Sequence, residues 1–305
     1  MNNKHTLAID IGGTGLKASV LDGAGKMVVD RVRVPTPYPL TPHVFLGTLG
    51  EMVKALPPFD RISVGYPGFV RDGVIITSPH FGDTWTDYPL AEALTKKFGK
   101  PARVINDAEV QGFGAVQGIG LEFVITLGTG LGTALFRDGK LMPHMEFAHF
   151  PVRTKVEFNQ YVGNAALKKI GPKKWGHRVQ KTIRLFFALM HFDRLYIGGG
   201  NAARLAPEMA EGAKLVSNEM GLTGGIRLWD DEPAASAHAS PKHTAAPKKK
   251  PAAPKKPAAP KRVAQRAVAQ KAAAPKAVAQ KPAAKKPAAA KRPAAPKRTA
   301  KPTPA

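Results

Sequence analysis

Two apolar runs, each broken by a glycine turn and followed by a second β-rich run, set the tightest limit on what this chain can fold into. The first is Thr6 to Ile11, then Gly12-Gly13-Thr14, then Gly15 to Leu21. The second, about 115 residues later, is Phe123 to Leu127, then Gly128-Thr129-Gly130-Leu131-Gly132, then Thr133 to Phe136. A strand, tight turn and strand occurring twice imply a duplicated α/β architecture, two lobes with a cleft between them. Gly198-Gly199-Gly200-Asn201 follows a further apolar strand, Arg194 to Ile197, and offers a third place where a backbone can approach a ligand closely. An ordinary strand-to-helix turn fits that third run nearly as well.

The segments between these units complete the α/β pattern. Met27 to Val34 reads as β-rich and joined to Gly15–Leu21 through the hairpin signal Asp22-Gly23. His43 to Ala55 carries apolar residues at helical spacing and is closed by Pro57-Pro58. Ile62 to Val64 reads as a strand entering Gly65-Tyr66-Pro67-Gly68, Leu90 to Phe98 as a helix, Ala102 to Ile105 as a strand and Ala108 to Val116 as a helix. Arg178 to Phe192 reads as a largely buried helix. The expected divisions are an N-terminal lobe over 1–106, a C-terminal lobe over 107–229 and a tail over 230–305.

The tail is set apart by charge. Of 46 Lys and Arg in the 305 residues, 19 lie between Pro233 and Ala305 with no Asp or Glu, leaving 27 against 22 in residues 1–232. The formal +24 therefore divides into a nearly ordinary body of +5 and a polycation of +19. Lys/Ala/Pro repeats such as Ala253 to Lys261 have nothing large and apolar to bury, so disorder is expected there. Without aromatic groups the tail can neutralise phosphates but cannot stack on bases, which predicts sequence-blind, salt-sensitive binding of a polyanion, either DNA or polyphosphate. A merely solubilising extension is the alternative. The absence of cysteine excludes disulfides, thiolate chemistry and Cys-based metal sites. No apolar run reaches the length that spans a bilayer, so no membrane partner is expected and the location reads as cytoplasmic, or on the nucleoid if the tail binds DNA.

The chemistry-bearing residues cluster at strand ends. In Asp10-Ile11-Gly12-Gly13-Thr14-Gly15-Leu16-Lys17 the glycines let the backbone meet phosphate oxygens, to which N–H groups and the Thr14 hydroxyl can donate. Asp10, at the strand end, suits a hydrated Mg²⁺, which takes only one or two carboxylates. A tight hairpin without a ligand is the plain alternative. Neither a Walker A loop nor the dinucleotide fingerprint is present. Asn106-Asp107 ends another strand: Asp107 can accept a hydroxyl proton and Asn106 can fix a neighbouring hydroxyl, although Asn-Asp is also a common helix cap. Glu146 and His149, three apart, can bracket a polyol or make an ordinary hydrogen bond.

Taken in order, Asp10-x-Gly12-Gly13-Thr14-x-x-Lys17, Gly65-x-Pro67-Gly68, Asn106-Asp107, Leu127-Gly128-Thr129-Gly130-x-Gly132, Asp138-Gly139, Glu146-x-x-His149 and Gly198-Gly199-Gly200 resemble the ROK family of sugar kinases over about residues 6–227. Within it the chain is most similar to the polyphosphate glucokinase branch, which also lacks the Cys-rich zinc motif. The resemblance implies the sugar kinase/actin/Hsp70 fold with two ribonuclease H-like lobes. It implies phosphoryl transfer from ATP or polyphosphate to a hexose, with glucose at its 6-hydroxyl the first expectation, Mg²⁺ as cofactor and no zinc. It makes Asp107 the catalytic base and places Asn106, Glu146, His149, Glu157 and Gly68 at the sugar. Gly12, Gly13, Thr14, Lys17, Gly128, Thr129, Gly130 and Gly199 are then the phosphate contacts and Asp10 the metal residue. Dimers are common among similar proteins, so a homodimer is also expected. Two departures stand out: His80 where such glucokinases tend to have Asn, and Glu146-Phe147-Ala148-His149 where Glu-Leu-Gly-His is usual. They point to an altered sugar preference, or to a retained fold with weak or no activity beside a DNA-binding tail.

Overall fold

The computed structural model describes residues 4–210 and 212–230. The expected disordered, polyanion-binding tail lies, from residue 231 onward, outside the described residues.

The first sheet grows from β1 (Thr6–Gly12) and β2 (Gly15–Leu21), antiparallel, with Gly12 opposite Gly15. The turn is thus only Gly13-Thr14. β3 (Val32–Val34) extends the sheet, shorter than the expected Met27–Val34. Val28 and Val29 are exposed and Met27 makes only an isolated bridge to Leu21, so nothing pays for a longer strand. Asp22-Gly23 is not a two-residue turn: the loop runs to Lys26, with the Asp22 carboxylate accepting the Ala24 and Lys26 N–H groups. α1 (Pro42–Val53) starts with Thr41 as N-cap and proline in its first turn and buries Phe45, Leu49 and Met52. β4 (Arg61–Tyr66) is buried throughout and parallel to β1, as a central strand covered on both faces should be. A small hairpin, β5 (Val70–Arg71) and β6 (Val74–Ile75), precedes α2 (Leu90–Phe98) and β7 (Ala102–Asn106), which is parallel to β4. The order is β3-β2-β1-β4-β7. Phe45, Tyr66 and Trp85 pack together beside this sheet, and the Trp85 indole donates to the Leu40 carbonyl.

After α3 (Asp107–Ala115) the second sheet repeats the scheme with β8 (Leu121–Leu127), β9 (Leu131–Arg137) and β10 (Lys140–Leu141). The hairpin β11 (Pro151–Arg153) and β12 (Val156–Glu157) leads to α4 (Phe158–Val162) and α5 (Asn164–Met190). β13 (Arg194–Gly198) and β14 (Ala213–Leu215) complete the order β10-β9-β8-β13-β14. Antiparallel and parallel pairings fall at the same places in both sheets. This is the expected mixed α/β fold with two related sheets. The helix expected at Arg178–Phe192 is longer and breaks at Gly171, whose φ of 76° precedes Pro172. Nor is it largely buried, because Leu185, Phe187 and Leu189 are exposed.

The chain then returns to the first sheet. α6 (Met220–Thr223) and the 3-10 turn Gly224–Trp229 lie against β1 and β4: Ser63 donates to the Gly225 carbonyl, and the Trp229 indole donates to Ser63. Arg61 and Arg103 stand over that indole at 5.0 and 4.4 Å. Among the described residues no helix is long and apolar enough to cross a membrane.

Candidate active site

The strand ends of both sheets open on one cleft of about 410 Å³, a volume suited to a small ligand. Asp10, Gly12, Gly13, Thr14, Lys17, Gly68, Asn106, Asp107, Gly128, Thr129, Gly130, Glu146, His149 and Gly199 all line it. Glu157 does not; it reaches the cleft through His149, whose Nδ1 lies 2.9 Å from its carboxylate.

Cross-strand pairing puts Lys17 opposite Asp10, and Lys17 Nζ donates to Asp10 Oδ2 at 2.6 Å. The Gly12 carbonyl accepts from Thr36 and the Gly13 carbonyl from Tyr38, so oxygens that would repel an anion at this turn are already engaged. In the second turn Leu131 N–H donates to Asn159 Oδ1, while Asn164 N–H and Asn201 Nδ2 donate to the Gly128 carbonyl. The two turns face each other: a Cβ on Gly13 would stand 3.7 Å from the Thr129 hydroxyl. Several of the cleft glycines are required by their surroundings. A Cβ on Gly130 would lie 1.8 Å from Asn159 Oδ1, and Gly199, at φ +87°, would press one to 2.5 Å from the Leu127 backbone. Among the described residues no three His, Asp or Glu gather as a metal cage. Asp10 still fits hydrated Mg²⁺, which needs one or two carboxylates and keeps several waters.

Asp107 begins α3 directly after β7. Asn106 is the N-cap: its oxygen accepts the Ala108 N–H at 2.8 Å, its Nδ2 donates to the Gly68 carbonyl at 3.0 Å, and Glu109 closes the capping box on the Asn106 N–H. Much of the Asn106 amide is thereby engaged in holding the helix start. Burial, then the charges of Asp10, Glu146 and Glu109, push the Asp107 carboxyl up to about 7 against one opposing backbone hydrogen bond. A carboxylate poised near neutrality suits a general base.

Glu146 and His149 flank a 3-10 turn. Burial pushes Glu146 up, but His144 and His149 outweigh it and hold the carboxyl below its usual range. His80 also lines the cleft, and burial lowers its pKa. The residues that sequence reasoning missed are His144, Glu109 and the asparagines Asn159 and Asn164. His144 Nδ1 sits 2.7 Å from Glu109 Oε1, a partner 35 positions away with no local pattern to announce it. Asn164 had a weaker signal, following Gly163 at the junction of α4 and α5, and Asn159 lies one turn earlier within α4.

Comparison with known proteins agrees with this geometry. The ROK family pattern matches residues 6–153. The chain is 30% identical over 234 residues to a polyphosphate glucokinase of Mycobacterium leprae, covering 72% of this chain and 71% of that protein. It is likewise 30% identical over 214 residues to a polyphosphate glucokinase of Mycobacterium tuberculosis, with 67% and 80% covered. Among solved structures, the inorganic polyphosphate/ATP-glucomannokinase of an Arthrobacter species superposes with a TM-score of 0.68 at 28% identity, over 74% of this chain and 98% of that one. A ROK family glucokinase from Streptomyces griseus shares the fold at a TM-score of 0.59 and 20% identity, with 73% and 98% covered. Sequence, strand order and cleft thus lead to one conclusion: the chain belongs to the ROK family.

Proposed function

We propose that this chain is a sugar kinase that transfers a phosphoryl group from polyphosphate or ATP to a hydroxyl of a hexose, glucose at its 6-hydroxyl being the first candidate. The observation that carries the proposal is Asp107: a carboxyl pushed up to about 7 at the start of α3, in the same cleft as two facing glycine turns. The kinase names of the similar proteins support the reaction class.

Asp107 accepts the proton of the hexose hydroxyl as that oxygen forms its bond to phosphorus and the bond to the donor's leaving oxygen breaks. Glu146 and His149 orient the ring; Asn106 positions Asp107 and Gly68, and Glu157 steadies His149. Gly12, Gly13, Thr14 and Lys17 from one turn, and Gly128, Thr129 and Gly130 from the other, hold the donor phosphates, with Gly199 supporting the second turn. Mg²⁺ held at Asp10 would offset charge on those phosphates.

The test is phosphoryl transfer by the full chain to glucose, mannose and N-acetylmannosamine, with polyphosphate and ATP as donors. Formation of a hexose phosphate with at least one pair is expected. No turnover with any pair would overturn the proposal.

A further inference from the structure

His144 lines the cleft, yet its side chain is only 8% exposed. One edge of its ring meets Glu109, also almost wholly buried, with Nδ1 to Oε1 at 2.7 Å. The other edge faces Glu146, with Nε2 to Oε2 at 3.5 Å, and Nε2 has no closer hydrogen-bond partner. The Phe69 ring packs against the imidazole in a T-shaped arrangement, with the ring centres 5.0 Å apart. Two carboxylates and one aromatic ring thus lie against the imidazole.

That environment decides the ring's state. A neutral imidazole donates from one nitrogen only, so it would leave a lone pair pointed at one of the two carboxylates. Burial opposes a charge on His144, but Glu109 and Glu146 outweigh it and raise the pKa to about 9. An imidazolium presents an N–H to each carboxylate, hydrogen-bonded to Glu109 and ion-paired with Glu146, and truncating such a buried pair would leave an uncompensated carboxylate.

The consequences run in two directions. Glu109 uses its other oxygen, Oε2, on the Asn106 N–H at 3.0 Å, closing the capping box that sets Asp107 at the head of α3. Glu146 belongs to the acceptor side of the cleft. We propose that His144 is a positioning residue that joins these two: together with Glu109 it fixes the sugar-orienting Glu146 relative to Asp107, and so sets the acceptor hydroxyl against its base. This rests on the kinase reading above and deepens it by naming what holds the acceptor half of the site together. The donor turns have no part in it.

The experiment has two arms, both on the full chain. In the first, histidine ring nitrogens are followed by ¹⁵N NMR against pH. The His144 ring is expected to keep both protons at pH 8, and in Glu109→Gln to lose one below that pH. A neutral wild-type ring at pH 7 would overturn the proposal whatever the enzyme's activity. In the second arm, His144→Asn, His144→Phe and Glu109→Gln are assayed with the hexose and donor that wild type uses. Each variant is expected to lower kcat/KM for the hexose at least 10-fold while the donor KM stays within 2-fold. The double variant His144→Asn/Glu109→Gln should be no worse than the poorer single one, because the two act as a unit. Folded variants, checked by circular dichroism, with hexose kcat/KM within 2-fold of wild type would overturn it. So would equal losses on hexose and donor terms, which is the pattern of general loosening. If wild type turns over no hexose, the kinase reading fails, and the NMR arm still decides the His144–Glu109 pair.

Discussion

The two sheets share strand order and pairing, yet they differ in charge at corresponding places. In the first, the β1–β2 unit presents Asp10 and Lys17, and the outermost parallel strand, β7, delivers Asn106 and Asp107. In the second, the β8–β9 turn offers glycines and Thr129 to the cleft, and the matching strand β14 is three residues long and largely exposed. The first sheet thus brings Asp10, Lys17 and Asp107 to the cleft, whereas the β8–β9 turn brings only neutral backbone and a hydroxyl, the ionisable His144, Glu146 and His149 coming from the segment after β10. Such a division suits a reaction that needs a proton acceptor and a place for phosphate oxygens, because acidic groups in the cradle would repel the donor.

The largest expected effect tests what ties the C-terminal segment to the first sheet. Trp229→Ala removes a buried indole held by Ser63 and two guanidinium groups and should cost about 3–5 kcal/mol. Hydrogen exchange should show β1 and β4 losing protection before β8 and β13; uniform loss would show that the two sheets do not differ in this dependence.

Next is Asp107→Asn, expected to lower kcat at least about 100-fold, or about 2.7 kcal/mol of barrier, with the fold intact. Its effect on stability has the opposite sign. The folded value of about 7 exceeds the ordinary 3.8, so the folded state loses stability as pH rises between those values. The variant escapes that loss and should melt higher than wild type at pH 8, with little difference near pH 4.

The second wall is sharpened by two neighbouring glycines. Gly130→Ala drives a methyl into Asn159 and should cost about 1–3 kcal/mol, whereas Gly128→Ala, with nothing within 4 Å, should stay within about 0.5 kcal/mol in thermal melts. Both should raise the donor KM. Lys17→Met acts mainly on binding: about 10-fold in donor KM, and under about 1 kcal/mol in stability because the ion pair with Asp10 is partly exposed.

What could be read from the sequence follows how local each signal is. Apolar strands running into glycine turns, and Asn106-Asp107 at a strand end, are short contiguous patterns, and they identified both turns and the strand leading to Asp107. Leu90–Phe98 was legible for the same reason, with amphipathic spacing and a closing glycine. The Met27–Val34 strand held only at its Val32–Val34 end, because the β-branched residues at 28 and 29 remain exposed, which composition cannot disclose. Arg178–Phe192 was misjudged because apolar spacing cannot distinguish an inward face from an exposed one. His144 escaped because its meaning depends on Glu109 and Glu146 converging from separate segments, a fact of tertiary structure alone.

Whether Asp107 is the base in this cleft can be read from the pH dependence of hexose kcat/KM in wild type and Asp107→Asn. Wild-type activity should rise with pH through an apparent value near 7 as Asp107 loses its proton. The residual activity of the variant should lack that rise. The same rise persisting in Asp107→Asn, with rates within a few-fold of wild type, would contradict it.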